Sequence, residues 1–398
     1  MFRITQYLQE VLQPTALTEK RNPPAPVVIW NLIRRCNLTC KHCYSISADK
    51  DFPGELGTEE IYAVMDDLKR FRVPVLILSG GEPLLRPDIF DIARRAKSMG
   101  FYVGLSSNGT LIDKNNIEQI AACDFNYVGV SLDGMRETHD RFRRMEGAFE
   151  ASLAGIRLCR DLGLKVGVRF TLTQDNAHDL PALLKLIEDE DIDRFYFSHL
   201  NYAGRGNKHR EDDAQHRMTR EAMDLLFDTC LEYLQRGVEK EFTTGNNDAD
   251  GVYLLHWVRR HFPAQEAHIH AKLVQWGGNS SGVNVANIDN LGNVHPDTMW
   301  WHHNLGNVKQ RPFSEIWQDT SDPLMAGLKQ RPRQVKGRCG ACRHFDICGG
   351  NTRVRAQQVS GDPWQEDPGC YLTDAEIGVT TSGERLQTTP WSRKEQAK

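Results

Sequence analysis

The sequence predicts an α/β fold, a partial (β/α)6 barrel followed by a small cysteine-rich domain. Three observations carry that expectation. Six short apolar or β-branched runs are each followed by a segment with helical spacing, the order that builds a parallel sheet. The alternation stops near residue 237. From residue 291 the chain becomes rich in Gly, Pro and Cys with little helical periodicity, as a small domain stapled by metal requires.

The elements follow in order. A polar, Pro-rich lead, residues 1–26, precedes the first strand, VVIWNLI at 27–33, whose continuous apolar character suits a strand buried on both faces. Thr58 is a good N-cap for a helix carrying Ile61, Met65 and Leu68 on one side. VLILS at 75–79 is the second strand, and Pro87 and Gly100 bracket the next helix. The pattern repeats as strands 101–106, 126–132, 165–172 and 194–199, with helices 112–121, 148–162, 178–190 and 219–236. A six-fold unit closes only partly and leaves an open mouth, and in β/α barrels chemistry collects at strand C-termini. This barrel is expected over 27–236, a connecting region over 237–290, the cysteine-rich domain over 291–378, and a polar, disordered tail over 379–398.

With 398 residues, 40% hydrophobic and 26% charged, the chain has ample material for a core. A formal net charge of -4 gives no general electrostatic case for nucleic acid or an anionic membrane. No apolar run reaches the ~18 residues a membrane span needs, and the N-terminus lacks a signal-peptide layout. A cytoplasmic protein is expected. Its ten cysteines then read as thiols or metal ligands rather than disulfides. Cys123, Cys159 and Cys230 lie in or beside helix-like apolar segments and are expected to be structural.

Cys36, Cys40 and Cys43 follow the first strand in the spacing C-x3-C-x2-C. Soft thiolates suit iron–sulfur clusters or zinc. Three ligands leave one iron of a cubane open to a chelating group. The competing reading is a zinc site completed by His42. The next strand runs into Ser79-Gly80-Gly81-Glu82-Pro83, which puts a close-approach turn and a carboxylate on the same rim.

CNLTCKHCY (36–44), GGEP (80–83), SSNGT (106–110) and VSLDG (130–134) resemble, in order and placement, the motifs of the radical S-adenosylmethionine (SAM) superfamily. The resemblance covers roughly residues 27–236. It implies that Cys36, Cys40 and Cys43 hold a catalytic 4Fe–4S cluster whose fourth iron chelates SAM. It also implies that His42 lies near the adenine, and that Gly80, Gly81 and Glu82 hold the methionine amino group. Ser131, Asp133 and Asn108 face the ribose or carboxylate, Arg143 the carboxylate, and Arg205, between Gly204 and Gly206, is a candidate rim contact to SAM. Each also has a plainer reading: Asn108-Gly109 is a common turn pair, and Arg141 and Arg144 compete with Arg143.

Cys339, Cys342, Cys348 and Cys370 form a second set, C-x2-C-x5-C-x21-C, able to close zinc or a cubane. This stretch, with LGNVHP (291–296) and LGNV (305–308), is similar to the SPASM extension that carries auxiliary 4Fe–4S clusters. Where that pattern usually has further cysteines, this chain has Asp297 and Thr352. One auxiliary cluster is therefore expected, unless Asp297 or a histidine substitutes as a ligand for another.

Only residues 1–26 precede the first strand, too few for the leader-binding domain that peptide modifiers often carry. The whole chain, including VHPDTMWWHHNLGNV (294–308), is similar to the NirJ family of haem d1 biosynthesis. That resemblance implies a tetrapyrrole substrate, 12,18-didecarboxysirohaem, which loses two propionate side chains through a 5′-deoxyadenosyl radical. It also implies a reduced ferredoxin or flavodoxin-type electron donor and a monomeric enzyme. Trp276, Trp300 and Trp301 are candidates to cover a flat ligand, Arg34, Arg35, Arg205, Arg353 and Arg355 to pair its carboxylates, and His295, His302 or His303 to ligate its iron. Packing and solvated-surface roles compete for all of them. The rival functions are another haem-pathway decarboxylase, a peptide modifier, and a non-catalytic zinc or iron–sulfur scaffold.

Overall fold

The computed structural model describes residues 1–17 and 25–380. Its strands are β1 (Phe2–Arg3), β2 (Val27–Asn31), β3 (Val75–Ser79), β4 (Tyr102–Ser107), β5 (Tyr127–Ser131), β6 (Val166–Leu172), β7 (Arg194–His199), β8 (Glu241–Gly245), β9 (Val285–Ile288), β10 (Asn293–His295) and β11 (Gly306–Asn307). All join one sheet in the order β1-β8-β7-β6-β5-β4-β3-β2-β9-β10-β11. From β2 to β8 every neighbouring pair is parallel, and β2 through β7 are the six strands expected from the sequence.

The strands alternate strictly. Val168 and Phe170 of β6, and Phe195 and Phe197 of β7, are buried against the outer helices. Their neighbours Arg169, Thr171 and Tyr196 point the other way, into the lumen, and are half-buried. Chemistry-bearing side chains therefore occupy the inner face, and the apolar residues hold the helices.

Three features depart from the sequence reading. The rhythm does not end near residue 237, since β8 adds a seventh parallel strand beside β7. The start of the expected lead is built in: β1 pairs antiparallel with β8, and the helix Ile4–Leu12 buries Ile4, Tyr7, Leu8 and Val11, an i, i+3, i+4, i+7 stripe. The connecting region holds β8, the helices Ala249–His261 and Glu266–Trp276, and β9, which pairs in parallel with β2. Of the expected tail, Val379 is buried and donates its N–H to the Asp374 carbonyl at 3.0 Å; residues 381–398 lie outside the described residues, as do 18–24 of the lead.

Cys123, Cys159 and Cys230 are buried free thiols, as expected of structural cysteines. Burial pushes Cys159 and Cys230 up to about 12. Among the described residues, no helix is long and apolar enough to cross a membrane.

Candidate functional site

The loop that follows β2 is gripped from two sides. Gly81 N–H donates to the Ile33 carbonyl at 2.6 Å, and Glu82 N–H to the Arg35 carbonyl at 2.9 Å. A Cβ on Gly80 would meet the Ile33 carbonyl oxygen at 2.5 Å, and one on Gly81 the Arg34 and Arg35 oxygens at 2.5 and 2.3 Å. The Gly-Gly pair thus lets this turn lie directly against the cysteine loop. From the other side, Gly204 sits at φ 55° where a Cβ would collide with the Tyr44 carbonyl at 2.2 Å. Arg205 N–H donates to the Cys43 carbonyl at 2.9 Å, and its guanidinium to the Cys40 and Ser47 carbonyls at 2.7 and 3.0 Å.

Held this way, Cys36, Cys40 and Cys43 share one small cluster with Leu38. Cys36 and Cys40 are buried and Cys43 is half-buried. Burial pushes the Cys36 thiol up to about 12 and raises Cys40, against which the Arg143 charge works. Burial also acts on Cys43, but hydrogen bonds from Ser45 and Ser47 and the Arg205 charge outweigh it and hold that thiol below its ordinary value. The serines were not singled out in the sequence, where they read as loop residues.

Glu82 is fully buried. Its Oε1 accepts from Leu84 N–H at 3.1 Å and Ser107 Oγ at 2.9 Å, and its Oε2 from Asn108 N–H at 2.8 Å. Burial raises this carboxyl to about 7, despite the three donors. Asn108 is tied to the cysteine loop through Asn37 Oδ1 at 2.9 Å, and its Nδ2 lies 3.9 Å from Cys36 Sγ.

At the next strand end, Ser131 is half-buried and Asp133 is 1% exposed. Asp133 Oδ1 accepts from Thr171 N–H at 2.7 Å, and Oδ2 pairs with Arg143. Burial raises the Asp133 carboxyl, opposed chiefly by Arg143. Arg143 Nη1 also reaches Cys40 Sγ at 3.5 Å, whereas Arg141 and Arg144 are exposed. Position thus separates the three arginines. His42 Nε2 meets Asp212 at 2.8 Å, its ring lies 4.8 Å from Phe142, and burial lowers its basicity. Asp212 was missed in the sequence because it lies 170 residues away.

The donor set fits a cluster with a polar cofactor beside it. Three thiols rise from one loop, and three buried polar atoms around them have no hydrogen-bond partner: His42 Nδ1, Arg143 Nε and Arg205 Nη2.

Cys339, Cys342, Cys348 and Cys370 line one cavity with Phe345, Leu372 and Ile377. Burial pushes Cys339 up to about 12 and Cys342 to about 11, and the neighbouring thiols add to both. Arg338 opposes the rise at Cys370. Four thiols in an apolar cavity fit a cluster that needs thiolates held away from water. Among the described residues, no set of three or more His, Cys, Asp or Glu side chains meets the geometry of a single metal ion; the thiols share a space without converging on a point. Asp297 accepts from Ser281 and from Met299 N–H at 2.7 Å instead of lining that cavity.

Several candidates for ligand contact have other work. Arg353 is fully buried and donates to the Gly350, Pro363 and Gln365 carbonyls. Arg355 is paired with Asp367 through two contacts at 2.9 Å. Neither is open to a carboxylate from outside. Trp300 is fully buried among Leu324, Leu328 and Val354, and Trp276 packs on Phe2 at 5.1 Å. His295 uses both ring nitrogens, on the His303 carbonyl and Asp289. His303 meets Asp322 at 2.9 Å and His302 meets Gln357 at 2.8 Å. Arg35 is exposed beside Asp49 and Asp51. Trp301 and Arg34 remain beside the cysteine loop, Trp301 edge-on to Tyr44 at 6.0 Å and Arg34 5.8 Å from the Trp301 ring.

A parallel partial barrel with a three-thiol loop on its rim defines a class, and the radical SAM superfamily pattern matches residues 30–187. The chain belongs to the radical SAM superfamily, whose members use SAM and a 4Fe–4S cluster. It is 55% identical over 393 residues to the pre-heme d1 synthase of Dinoroseobacter shibae, covering 98% of this chain and 97% of that one. It is 45% identical over 368 residues to the Fe-coproporphyrin III synthase of Methanosarcina barkeri, covering 92% of each. Among solved structures it resembles Streptococcus suis SuiB with a TM-score of 0.68 at 16% identity, over 88% of this chain and 78% of that one, a likeness of fold.

Proposed function

We propose that this chain is a radical SAM enzyme of haem d1 biosynthesis that removes the two propionate side chains of 12,18-didecarboxysirohaem on the way to the oxo groups of haem d1. The observation that carries this reading is the near-full-length identity to a pre-heme d1 synthase. When bound, the cluster and SAM supply a 5′-deoxyadenosyl radical that takes a hydrogen atom from the substrate.

In this reading Cys36, Cys40 and Cys43 hold the SAM-binding cluster, and Arg143 and Arg205 balance its charge from either side. The Gly80–Gly81 backbone and Glu82 receive the SAM amino group. A carboxylate offers about four acceptor directions, and the three protein donors on Glu82 leave room for an ammonium. The free Arg143 Nε supports a place for that arginine at the SAM carboxylate, and the free His42 Nδ1 supports one for the histidine at the adenine. Ser131, Asp133 and Asn108 line the ribose side. Cys339, Cys342, Cys348 and Cys370 hold one auxiliary 4Fe–4S cluster. The reading includes a reduced ferredoxin or flavodoxin as electron donor and a monomer in the cytoplasm, where free thiols persist.

The test is an anaerobic incubation of reduced enzyme with SAM and 12,18-didecarboxysirohaem, followed by mass spectrometry. Substrate-dependent 5′-deoxyadenosine together with loss of propionate mass supports the reading. Turnover with a peptide alone overturns it.

A further inference from the structure

The barrel lumen contains an arginine that the cluster and SAM reading does not use. Arg169, in the middle of β6, stands level with Ser131 on β5 and Tyr196 on β7. It is half-buried. Its guanidinium contacts the Ser106 hydroxyl and lies 5.4 Å from the Tyr196 ring. Among the described residues no carboxylate forms an ion pair with it. Unpaired arginine charges are seldom kept inside a fold without a partner.

The surroundings are polar. Tyr127 on β5 and Tyr196 on β7 share the inner face with Arg169; burial raises the Tyr44, Tyr127 and Tyr196 hydroxyls, and the Arg169 charge opposes the rise. The Tyr127 and Tyr196 rings lie against the inner sheet because glycines make room for them. A Cβ on Gly129 would strike the Tyr127 hydroxyl at 2.3 Å, and one on Gly245 the Tyr196 hydroxyl at 2.0 Å. Tyr44 follows Cys43 directly and accepts from Asn31 Nδ2 at 2.8 Å, which ties the end of β2 to the three-thiol loop.

We propose that Arg169, on the inner face of β6 beside the Tyr196 ring, binds a carboxylate of the tetrapyrrole substrate inside the barrel. A guanidinium matches a carboxylate in charge and in hydrogen bonding. Holding one acid side chain there orients the macrocycle with an edge toward the thiol loop. This inference rests on the tetrapyrrole reading above and adds to it the residue that recognises the acid groups.

The test uses anaerobically purified holoenzyme without SAM, titrated with 12,18-didecarboxysirohaem and separately with its fully esterified form, following the absorbance of the macrocycle. Wild type is expected to prefer the acid over the ester by ~10-fold or more. Arg169→Met should lose that preference, and Arg169→Lys should keep part of it. Equal binding of acid and ester by wild type, or an unchanged preference in Arg169→Met, overturns the inference while leaving the tetrapyrrole reading intact. If Arg169→Met keeps the preference but loses affinity for SAM, the arginine serves the cofactor and the inference also fails. No binding of either form to wild type overturns both readings.

Discussion

The Arg205 guanidinium donates to the Cys40 carbonyl at 2.7 Å across 165 residues of sequence. The segment that follows β7 thereby fixes the shape of the loop that follows β2. Arg205→Ala removes this bond and the one to Ser47. Each hydrogen bond from a charged group contributes roughly 1.5–3 kcal/mol. Iron and sulfide content after anaerobic purification, and the melting temperature, should both fall. Unchanged values for both would contradict this role.

Gly81→Ala would drive a Cβ into two backbone carbonyls, at 2.3 and 2.5 Å. Backbone cannot swing aside as a side chain can, so a loss of at least ~1–3 kcal/mol and poor cluster loading are expected. Gly57→Ala is the comparison, because its Cβ meets only a Glu60 side chain at 3.8 Å. Denaturant melts and iron analysis of both variants check the contrast.

Glu82 gives a pH signature. Its carboxyl is raised to about 7 by burial, so between the ordinary carboxyl value and about 7 the folded protein binds more protons than the unfolded chain. Stability is then fully present at the acid end and is lost as pH rises through about 7. The loss is on the order of 3 kcal/mol. Chemical denaturation of wild type and Glu82→Gln across this window isolates it. Wild type should weaken relative to the variant as pH rises, and parallel curves would contradict the assignment.

Replacing Cys339, Cys342, Cys348 and Cys370 together by Ala should lower iron from about eight to about four per chain if each thiol set holds one cubane. Iron analysis with sulfide assay reads this directly. Iron that stays constant would remove the auxiliary cluster from the account.

The six central strands were legible because each is a run of Val, Ile, Leu or Phe ended by a motif of polar and small residues. β8 was not legible, since EFTTG carries a single large apolar residue and its inward positions are Thr243 and Gly245. β9 was not legible either. Its partner β2 lies more than 250 residues earlier, and parallel pairing at that separation leaves no local pattern. The stripe of Ile4, Tyr7, Leu8 and Val11 was visible in the sequence, and its neighbouring prolines disguised it as part of a lead. At the site, the thiols stood out by their spacing and Glu82 by its place after a Gly-Gly turn at a strand end. Asp212 under His42, and the internal partners of Arg353 and Arg355, could not, because a charged residue in sequence does not show whether its counter-charge lies in the fold or in a ligand.

The central claim is that three thiols leave one corner of a cluster open to SAM. Electron paramagnetic resonance of the reduced, anaerobic protein tests it most directly, with and without SAM, in wild type and in the variant with Cys36, Cys40 and Cys43 all changed to Ala. A cluster signal that shifts when SAM is added to wild type, and is missing from the variant together with 5′-deoxyadenosine formation, is the result expected. A signal indifferent to SAM, or SAM cleavage that survives in the variant, would contradict the account.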